Sequence, residues 1–331
     1  MRFIDNEGIT DPRINLAIEE FALQHMDLDK EDTYLLFYVN KPSIIIGKNQ
    51  NTIEEINVDY VNEHDIHVVR RLSGGGAVYH DLGNLNFSFL TKDDGDSFHN
   101  FKKFTQPVVD ALNSMGVPAE MSGRNDLQVD GKKISGNAQF SSKNRMFSHG
   151  TLMLDSKTEN IVSALNVKDE KIKSKGIKSI KSRVGNINDY LDEPLTVEDF
   201  KHLLLRFIFG EDDKIPTYTL SDEDWDQVHQ IADKRYNNWD WNYGKSPSFD
   251  IHRSKKFDAG LIDIRFNVKK GVIQECKIYG DFFGVSEVAD IERTLEGTKY
   301  ESNAIKEAIS PFHLQEYFGP IDKEDFLHLL Y

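Results

Sequence analysis

The spacing of apolar residues in the first half of the chain predicts an amphipathic helix followed by a sheet. Asp11-Pro12 suits an N-cap and the first helical position. Apolar residues then recur at helical spacing, namely Ile14, Ala17, Ile18, Phe21 and Ala22. Strand-like runs bounded by Pro, Gly and Asn follow at residues 34–39, 43–47, 67–72, 77–80 and 84–90. A second helix is predicted from Phe98 to about Met115, and further strands from Glu120 to Leu154.

The second half is predicted to close this domain with helices and to add a small domain. Residues 196–199 and 221–224 resemble capping boxes, with Asp in place of Glu or Gln, ahead of helical periodicity. The pattern breaks at the Trp-rich residues 239–243. Beyond them, alternation over residues 262–268 and a turn at Lys270-Gly271 predict a hairpin. Helices are predicted at 286–295, 303–309 and 323–330. We therefore expect an α+β protein with domains at 1–245 and 250–331.

The charge balance limits the classes of partner. Asp and Glu number 55 against 40 Lys and Arg, which gives a net charge of −15 and disfavours binding to nucleic acid or to an anionic membrane. The acidic N-terminal sequence lacks a signal peptide, and no apolar run reaches the length of a membrane helix, so we expect a cytoplasmic protein. The single cysteine, Cys276, excludes an internal disulfide and a Cys-rich zinc site.

The most informative segment is Arg70 to Asp81, which reads RRLSGGGAVYHD. Three consecutive glycines between predicted strands let the backbone approach a ligand closely and point several N–H groups at it. Paired arginines beside such a loop suit a phosphate or a carboxylate. The spacing matches neither the P-loop nor the GxGxxG dinucleotide fingerprint. From this segment alone, a plain tight turn is an equal alternative.

A second candidate segment runs from Ser122 to Ala138. Asp130-Gly131 predicts a tight hairpin turn, so Lys132 and Lys133 open the returning strand and project to opposite faces of the sheet. One of the two ammonium groups can then face a cleft and bind a carboxylate and a phosphate at once. Two solvated turn lysines are the alternative.

Two further segments carry candidate chemistry. His149 and Gly150 open a predicted strand, where a histidine is more often structural than catalytic. Residues 168–183 are rich in Lys and Arg in an otherwise acidic protein. Small residues between these charges, such as Gly176 and Ser179, are typical of a loop that closes over phosphate. A solvated surface segment is the alternative.

Taken together, these segments resemble lipoate-protein ligase A. The matching patterns are RRxSGGGAVxHDxGNxxF at 70–87, SGRNDL at 122–127, GKKxSGxA at 131–138, HGTLxL at 149–154 and KGIxSxxSRVxN at 175–186. The resemblance extends from near the N-terminus to the Trp-rich residues and continues more weakly beyond them. It implies that residues 1–245 form a catalytic domain like that of biotin ligases and that residues 250–331 form an accessory domain.

The resemblance implies a two-step reaction. Lipoate and ATP give lipoyl-AMP and pyrophosphate, and the lipoyl group then passes to a lysine of a lipoyl domain. The implied acceptors are E2 subunits of 2-oxoacid dehydrogenases and the glycine cleavage H protein. Attack of a carboxylate on the α-phosphate brings like charges together, so a fixed cation, backbone donors and Mg²⁺ lower the barrier.

The same resemblance implies roles for individual residues. Lys133 is the implied catalytic lysine, which contacts the lipoate carboxyl and the α-phosphate in both steps, and Asp126 is a candidate ligand of Mg²⁺. The implied ATP- and lipoate-binding residues are Arg70, Arg71, Ser73, Gly74, Gly75, Gly76, Ala77, Val78, Tyr79, His80, Asn86, Asp126, Lys133, Ala138, His149, Gly150 and Thr151. The loop implied to close over the adenylate contains Lys175, Gly176, Ser179, Ser182 and Arg183. The residues around Leu72, Val78 and Phe87 are candidates for contacts with the acyl chain.

Three rival functions require residues that differ from those of this interpretation. An octanoyl or lipoyl transferase of the same superfamily uses a cysteine nucleophile, whereas Cys276 lies far from the matched motifs. A biotin ligase would carry a GRGRxxRxW-type loop, and the sequence has RRLSGGG instead. A lipoate-binding module without catalysis would require an inert Lys133. Release of pyrophosphate from ATP in the presence of lipoate separates that module from a ligase.

Overall fold

The computed structural model describes residues 1–165, 183–210, 214–243, 251–269 and 271–330. Its first helix, α1 (Pro12–His25), begins where the sequence predicts. The side chain of Asp11 accepts a hydrogen bond from the backbone N–H of Arg13, at 3.0 Å, and so satisfies one of the donors that a helix start leaves open. Leu16 and Phe21 on this helix are buried.

The structure divides into two units, of which the first contains Met1–Ile46, Glu54–Arg70 and Ala77–Asn242. Its strands are β1 (Arg2–Asp5), β2 (Thr33–Val39), β3 (Ser43–Ile46), β4 (His67–Arg70), β5 (Val78–His80), β6 (Asn84–Lys92), β7 (Glu120–Ser122), β8 (Asp126–Val129), β9 (Lys132–Ser142), β10 (Arg145–Met153) and β11 (Thr217–Thr219). The helices that follow α1 along this part of the chain are α2 (Thr52–Glu55), α3 (Val58–Glu63), α4 (Phe101–Ser114), α5 (Thr158–Ala164), α6 (Val197–Phe209), α7 (Asp222–Ile231) and α8 (Trp239–Asn242).

Two sheets organise the first unit. The large sheet has the strand order β11-β1-β2-β6-β10-β9-β8-β7, and the small sheet has the order β4-β3-β5. β1 is parallel to both of its neighbours, whereas β6, β10 and β9 form an antiparallel ladder at the centre. Because side chains alternate along a strand, each central strand presents one set of residues to either face. On one face, Phe37, Phe87 and Leu152 belong to a core that also includes Val108 of α4 and Leu204 of α6.

The second unit contains Gly47–Ile53, Arg71–Gly76 and Tyr243–Tyr331. Its antiparallel sheet has the order β12 (Ile251–Phe257), β13 (Gly260–Lys269) and β14 (Val272–Gly280). The helices are α9 (Val288–Leu295), α10 (Ser302–Ile309), α11 (Leu314–Phe318) and α12 (Lys323–Leu330). Alternate residues of β13, including Ile264 and Phe266, are buried with Phe282 and Phe318 in a separate core.

The predicted α+β class is confirmed, and the differences concern individual elements. α4 begins at Phe101 rather than at Phe98, because His99 adopts a φ of 68° and the Asn100 side chain caps the helix by accepting from the N–H of Lys103 at 3.2 Å. The Trp-rich residues 239–242 form α8 rather than a break. The sequence did not predict β12 or the short helices α2, α3, α5 and α11.

Asp130 and Gly131 form the predicted tight turn between β8 and β9. Both residues have positive φ, 50° and 75°, as a two-residue hairpin turn of type I′ requires. The predicted capping at Thr196 and Ser221 is also present: each hydroxyl oxygen accepts from a backbone N–H three residues later. Within the five described ranges, no helix combines the length and the apolar character needed to cross a bilayer.

Candidate active site

The face of the large sheet opposite the Phe87 core carries polar side chains at its centre. On β10, His149 pairs with Ser88 of β6 and Thr151 pairs with Asn86. On the other side of β10, His149 pairs with Ala138 of β9, and the Thr151 hydroxyl accepts from the N–H of Gly136 at 3.1 Å. The sheet register therefore brings together four residues that the sequence assigns to ligand binding, namely Asn86, Ala138, His149 and Thr151.

Gly150 lies between His149 and Thr151 and points to the opposite face. A Cβ atom on Gly150 would lie 2.1 Å from the Asn137 Oδ1 atom and 2.7 Å from the Phe87 ring. The missing side chain therefore leaves room for two buried neighbours. Gly150 supports the site by packing beneath it.

His149 pairs with a carboxylate that the sequence reasoning did not single out. Its Nδ1 atom lies 2.9 Å from Oε1 of Glu19 on α1, and both side chains are buried. Since a carboxylate can only accept unless it is protonated, Nδ1 of His149 carries the hydrogen. Glu19 lies among buried apolar residues on α1. A carboxylate within such an apolar stretch is the feature of the sequence that could have identified it.

Lys133 holds its ammonium group over the same face of the sheet. Its Nζ atom lies 2.9 Å from Oδ1 of Asp126, and about two fifths of the Lys133 side chain is exposed, at 41%. A Cβ atom built on Gly136, which is cross-strand from the Asp126 position, would lie 3.0 Å from Nζ. Asp126 and Lys133, predicted from separate sequence motifs, are therefore one ion pair.

The backbone of Lys133 also binds the end of the basic segment. Its N–H donates to the carbonyl of Arg183 at 2.7 Å, and its carbonyl accepts from the N–H of Gly185 at 3.0 Å. A cavity of about 360 Å³ lies at this junction, lined by Ser122, Asp126, Gln128, Gly131, Lys133, Arg183 and Val184. Of the predicted adenylate-closing loop, Arg183 is described here, whereas Lys175, Gly176, Ser179 and Ser182 lie outside the described residues.

Ala77 to His80 belong to the first unit, and the last three of these residues form β5 of the small sheet. Tyr79 and His80 are buried on β5. Burial raises the pKa of the Tyr79 hydroxyl above its ordinary value, so the group stays neutral and accepts from Asn160 Nδ2 at 3.4 Å. Nδ1 of His80 lies 3.0 Å from the side-chain amide of Asn40. Two of the predicted binding residues thus have fixed polar partners.

Arg70, also in the first unit, is tied to α8. Its Nε atom donates to the carbonyl of Trp241 at 2.8 Å, and the Trp241 indole N–H donates back to the Arg70 carbonyl at 2.8 Å. The N–H of Arg70 donates to Asn242 Oδ1 at 3.0 Å. The Trp-rich residues therefore fix the end of β4, directly before the glycine-rich loop.

The glycine-rich loop, Arg71 to Gly76, belongs to the second unit. Arg71 organises it from within, since Nη2 donates to the carbonyls of Gly74 and Gly76 at 2.6 and 2.9 Å and Nε donates to the Ser73 hydroxyl at 3.0 Å. A Cβ on Gly74 would lie 2.2 Å from the Phe282 carbonyl oxygen, and Gly75 has a φ of 89°. The glycines thus permit close packing and one left-handed backbone position.

Among the described residues, no group of three or more His, Cys, Asp or Glu side chains is arranged to hold a metal ion.

The thiol of Cys276 is buried on β14 in the second unit, and burial raises its pKa. A buried thiol with a raised pKa is a poor nucleophile because the thiolate is the reactive form.

Two family models match most of the chain. A model described as the lipoyl protein ligase A/B catalytic domain matches residues 11–209, which include Lys133, Asp126 and His149. A second model, the bacterial lipoate protein ligase C-terminus, matches residues 246–330.

The relatives narrow the class further. The chain is 63% identical to a lipoate-protein ligase of Bacillus subtilis and 54% identical to lipoate-protein ligase 1 of Staphylococcus aureus, in both cases over 100% of each chain. The chain belongs to the lipoate-protein ligase family.

Solved structures agree with this assignment. A P. falciparum protein in complex with lipoate is 26% identical, with a TM-score of 0.78, and the match covers 99% of this chain and 97% of that one. A bipartite lipoate protein ligase of Thermoplasma acidophilum, studied with its E2 lipoyl domain, is 30% identical with a TM-score of 0.66. That match covers 76% of this chain and 98% of the archaeal one.

Proposed function

We propose that this protein activates lipoate with ATP and transfers the lipoyl group to a lysine of an acceptor protein. The observation that carries the proposal is the half-exposed ammonium of Lys133, 2.9 Å from Asp126, on a sheet face shared with His149 and Thr151. It is supported by family membership and by relatives whose structures contain lipoate or ATP. The other residues that the resemblance assigns to ATP and lipoate binding are proposed to serve those roles.

The chemistry of the first step suits a fixed cation. A lipoate carboxylate must approach an α-phosphate of the same charge, and an ammonium between the two lowers that repulsion. The carboxylate of Asp126 balances the charge of Lys133, and both side chains line the cavity. Both side chains are more than one third exposed, so the pair costs little to separate when anionic substrates enter. No covalent enzyme nucleophile is required for this step.

Asp126 is the proposed protein ligand of Mg²⁺, because its carboxylate lines the same cavity as Lys133. Magnesium is commonly held by one or two carboxylates together with substrate phosphates, rather than by a cage of protein side chains. The ion would neutralise charge on the departing pyrophosphate, while Lys133 keeps contact with the acyl carboxyl and the α-phosphate.

The second step needs an acceptor lysine. We propose lipoyl domains as acceptors, including E2 subunits and the glycine cleavage H protein, because the structural analysis of a related archaeal ligase also covers its E2 lipoyl domain. Residues 1–245 form the catalytic domain and residues 250–331 the accessory domain in this proposal, and the protein acts in the cytoplasm.

The direct test is to incubate the full chain with lipoate and ATP and measure pyrophosphate, then add a lipoyl domain and read its intact mass. Pyrophosphate release that depends on lipoate, followed by the mass increase of one lipoyl group, is the expected result. A lipoyl domain with its acceptor lysine replaced by arginine is the control. Binding of lipoate without pyrophosphate release would instead indicate a binding module.

Replacing Gly136 with alanine is expected to slow adenylate formation by about 10- to 100-fold. The new Cβ would lie 3.0 Å from Lys133 Nζ and 3.1 Å from Cε, so the flexible end of the lysine must move. Displacing a reacting or contacting group by about an ångström has effects of that size. Stopped-flow pyrophosphate measurement checks this, with the melting temperature as the control for folding. An unchanged rate would contradict the proposed placement of the ammonium.

Replacing Cys276 with alanine is expected to leave pyrophosphate release and lipoyl transfer within about twofold of the unmodified protein. The thiol is buried in the second unit and its pKa is raised, so it does not serve as an acyl carrier. The comparison uses equal amounts of folded protein, because the smaller side chain leaves a small cavity. Loss of lipoyl transfer with unchanged adenylate formation would support the rival function, a transferase that uses a cysteine nucleophile.

A further inference from the structure

Between two successive cross-strand pairs, β9 carries one residue more than β8. Leu127 pairs with Ser135. The next residue of β8, Gln128, pairs with Lys133, so Ile134 is an extra residue between the two pairs. Such a β-bulge changes the face of the sheet to which the side chains beyond it point. This bulge lies directly beside the proposed catalytic lysine.

The bulge puts Lys133 on the face that carries the site. Side chains alternate along a regular strand, so Lys133 and Gly136, three positions apart, would point to opposite faces. Gly136 pairs with Asp126. Lys133 pairs with Gln128, two residues further along β8, and therefore faces the same way as Gly136. Ile134 is instead buried in the core on the opposite face.

The same geometry decides which of two adjacent lysines faces the site. Lys132 pairs with Val129, a core residue, and so points to the opposite face. In an unbroken strand with the same pair at Gly136, the alternation would instead turn Lys132 toward the site and Lys133 away from it. The position of the proposed catalytic ammonium therefore depends on where the bulge lies.

The tight turn fixes the pairs on one side of the bulge only. Asp130 and Gly131 set the pairs next to them, whereas a bulge lets the pairs beyond it differ by one residue. A shift of one residue beyond the bulge would give Asp126 a different partner and turn the side chains of one strand to the opposite face. The register beyond the bulge therefore needs support of its own.

Asn137 supplies that support with its backbone and its side chain. Its backbone N–H and its Nδ2 group both donate to the Asn125 carbonyl, each at 2.9 Å. The Asn125 side chain in turn donates to the Asn137 carbonyl. The Nδ2 group of Asn137 also lies 3.2 Å from the hydroxyl of Ser135, next to the extra residue. Three hydrogen bonds thus join Asn125 to Asn137 directly beyond the bulge.

The orientation of the Asn137 amide is set by this partner. A carbonyl oxygen only accepts, so Nδ2 rather than Oδ1 must face Asn125. Oδ1 then points toward Gly150, and among the described residues it has no hydrogen-bond donor. A buried acceptor without a donor lowers stability, and an apolar side chain would avoid that cost. Packing in the core therefore does not explain the amide, whereas its bond to Asn125 does.

We infer that Asn137 is a positioning residue: by joining β9 to β8 beyond the bulge, it keeps the ammonium of Lys133 beside Asp126 on the face of the site. The inference rests on the proposed function of Lys133. Asn137 pairs with Gly150 and points to the core face of the sheet, so it acts through Lys133 and not on a substrate.

The support from Asn137 can be measured without any substrate. The N–H of residue 137 donates to the Asn125 carbonyl, so its exchange with deuterium reports on that pair. In the full chain, Asn137→Ala is expected to speed this exchange by at least about tenfold relative to the amides of α4, which serve as the internal reference. An unchanged exchange rate at residue 137 would overturn the inference whatever the catalytic rate.

Pyrophosphate release tests the consequence for catalysis. Asn137→Ala is expected to slow lipoate-dependent pyrophosphate release about 10- to 100-fold, because displacing a contacting group by about an ångström has effects of that size. The rates are compared at equal amounts of folded protein. Faster exchange at residue 137 with an unchanged rate of pyrophosphate release would reject the positioning role.

A double-mutant cycle separates positioning of the ammonium from general stability. If Asn137 acts through Lys133, adding Asn137→Ala to Lys133→Ala is expected to change the residual rate, followed with radiolabelled ATP, by less than about twofold. A further loss as large as that in the unmodified background would assign the effect to structure alone and overturn the inference.

Gln139→Ala is the matched control. Gln139 is a buried amide on the same strand, but its side chain binds the Ser148 hydroxyl at 3.2 Å and the N–H of His99 at 2.7 Å. Its loss is expected to lower stability, while exchange at residue 137 and pyrophosphate release stay within about twofold of the unmodified protein. An equal loss of rate in Gln139→Ala would overturn the inference.

Asn125→Ala tests the same contact at a half-buried position that tolerates truncation better. It removes the bond to the Asn137 carbonyl and is expected to slow pyrophosphate release about 3- to 10-fold, and less than about twofold when Lys133 is already alanine. No loss in the unmodified background would overturn the inference. Slow exchange at residue 137 in unmodified protein that releases no lipoate-dependent pyrophosphate would reject the proposed function instead.

Discussion

Replacing Lys133 with alanine is expected to lower lipoate-dependent pyrophosphate release by at least about 10²- to 10³-fold. The ammonium is the fixed cation at the proposed meeting point of the acyl carboxylate and the α-phosphate, and loss of one such group usually has an effect of that size. Transfer from supplied lipoyl-AMP is expected to slow as well, because the same group contacts the mixed anhydride. Both rates are measured with equal amounts of folded protein.

The fold should tolerate this change. Lys133 is 41% exposed and its partner Asp126 is 36% exposed, so the ion pair contributes at most about 1 kcal/mol to the free energy of unfolding. Lys132→Ala is the matched control, because Lys132 stands beside Lys133 at the start of β9 and no role in chemistry is assigned to it. Equal loss of activity in both variants, or none in Lys133→Ala, would remove Lys133 from the mechanism.

Replacing Gly150 with alanine is expected to destabilise the protein by about 3 kcal/mol. The added Cβ would lie 2.1 Å from Asn137 Oδ1 and 2.7 Å from the Phe87 ring, and these buried atoms have little room to retreat. A shift of β10 would also move His149 and Thr151, so activity should fall with stability. Urea unfolding and the rate of pyrophosphate release measure the two effects.

Gly76→Ala provides the comparison for stability. A Cβ on Gly76 meets no atom within 4 Å, and its φ is not positive, so the free energy of unfolding should change by less than about 0.5 kcal/mol. Equal destabilisation by the two substitutions would show that steric conflict at Gly150 is not the cause.

The sequence predicted the tight turn and the helix starts because each depends on residues that are neighbours in the chain. The turn needs positive φ at two adjacent residues, Asp130 and Gly131, and the cap of α1 joins Asp11 to the N–H two residues later. Lys133 could be placed near the start of a strand for the same reason. Its pairing with Asp126 also depends on the register of β8 and β9, which shifts at an irregularity between Leu127 and Gln128 that the turn does not determine.

Residues that act across long sequence separations could not be predicted in this way. The pairing of Glu19 with His149 spans 130 positions, and that of Asn40 with His80 spans 40. The residues around Phe87 are candidates for the acyl chain, and the pleat turns Phe87 itself toward the core while Asn86 and Ser88 face the other way. Chain order also did not indicate that Arg71 to Gly76 group with the C-terminal residues.

The most direct test of the central claim is an experimental structure of the full chain with lipoyl-AMP bound. We expect Nζ of Lys133 to leave Asp126 and lie about 2.7–3.2 Å from the acyl carbonyl oxygen or an α-phosphate oxygen. An ammonium that stays paired with Asp126 or points into solvent, with the adenylate bound elsewhere, would contradict the account.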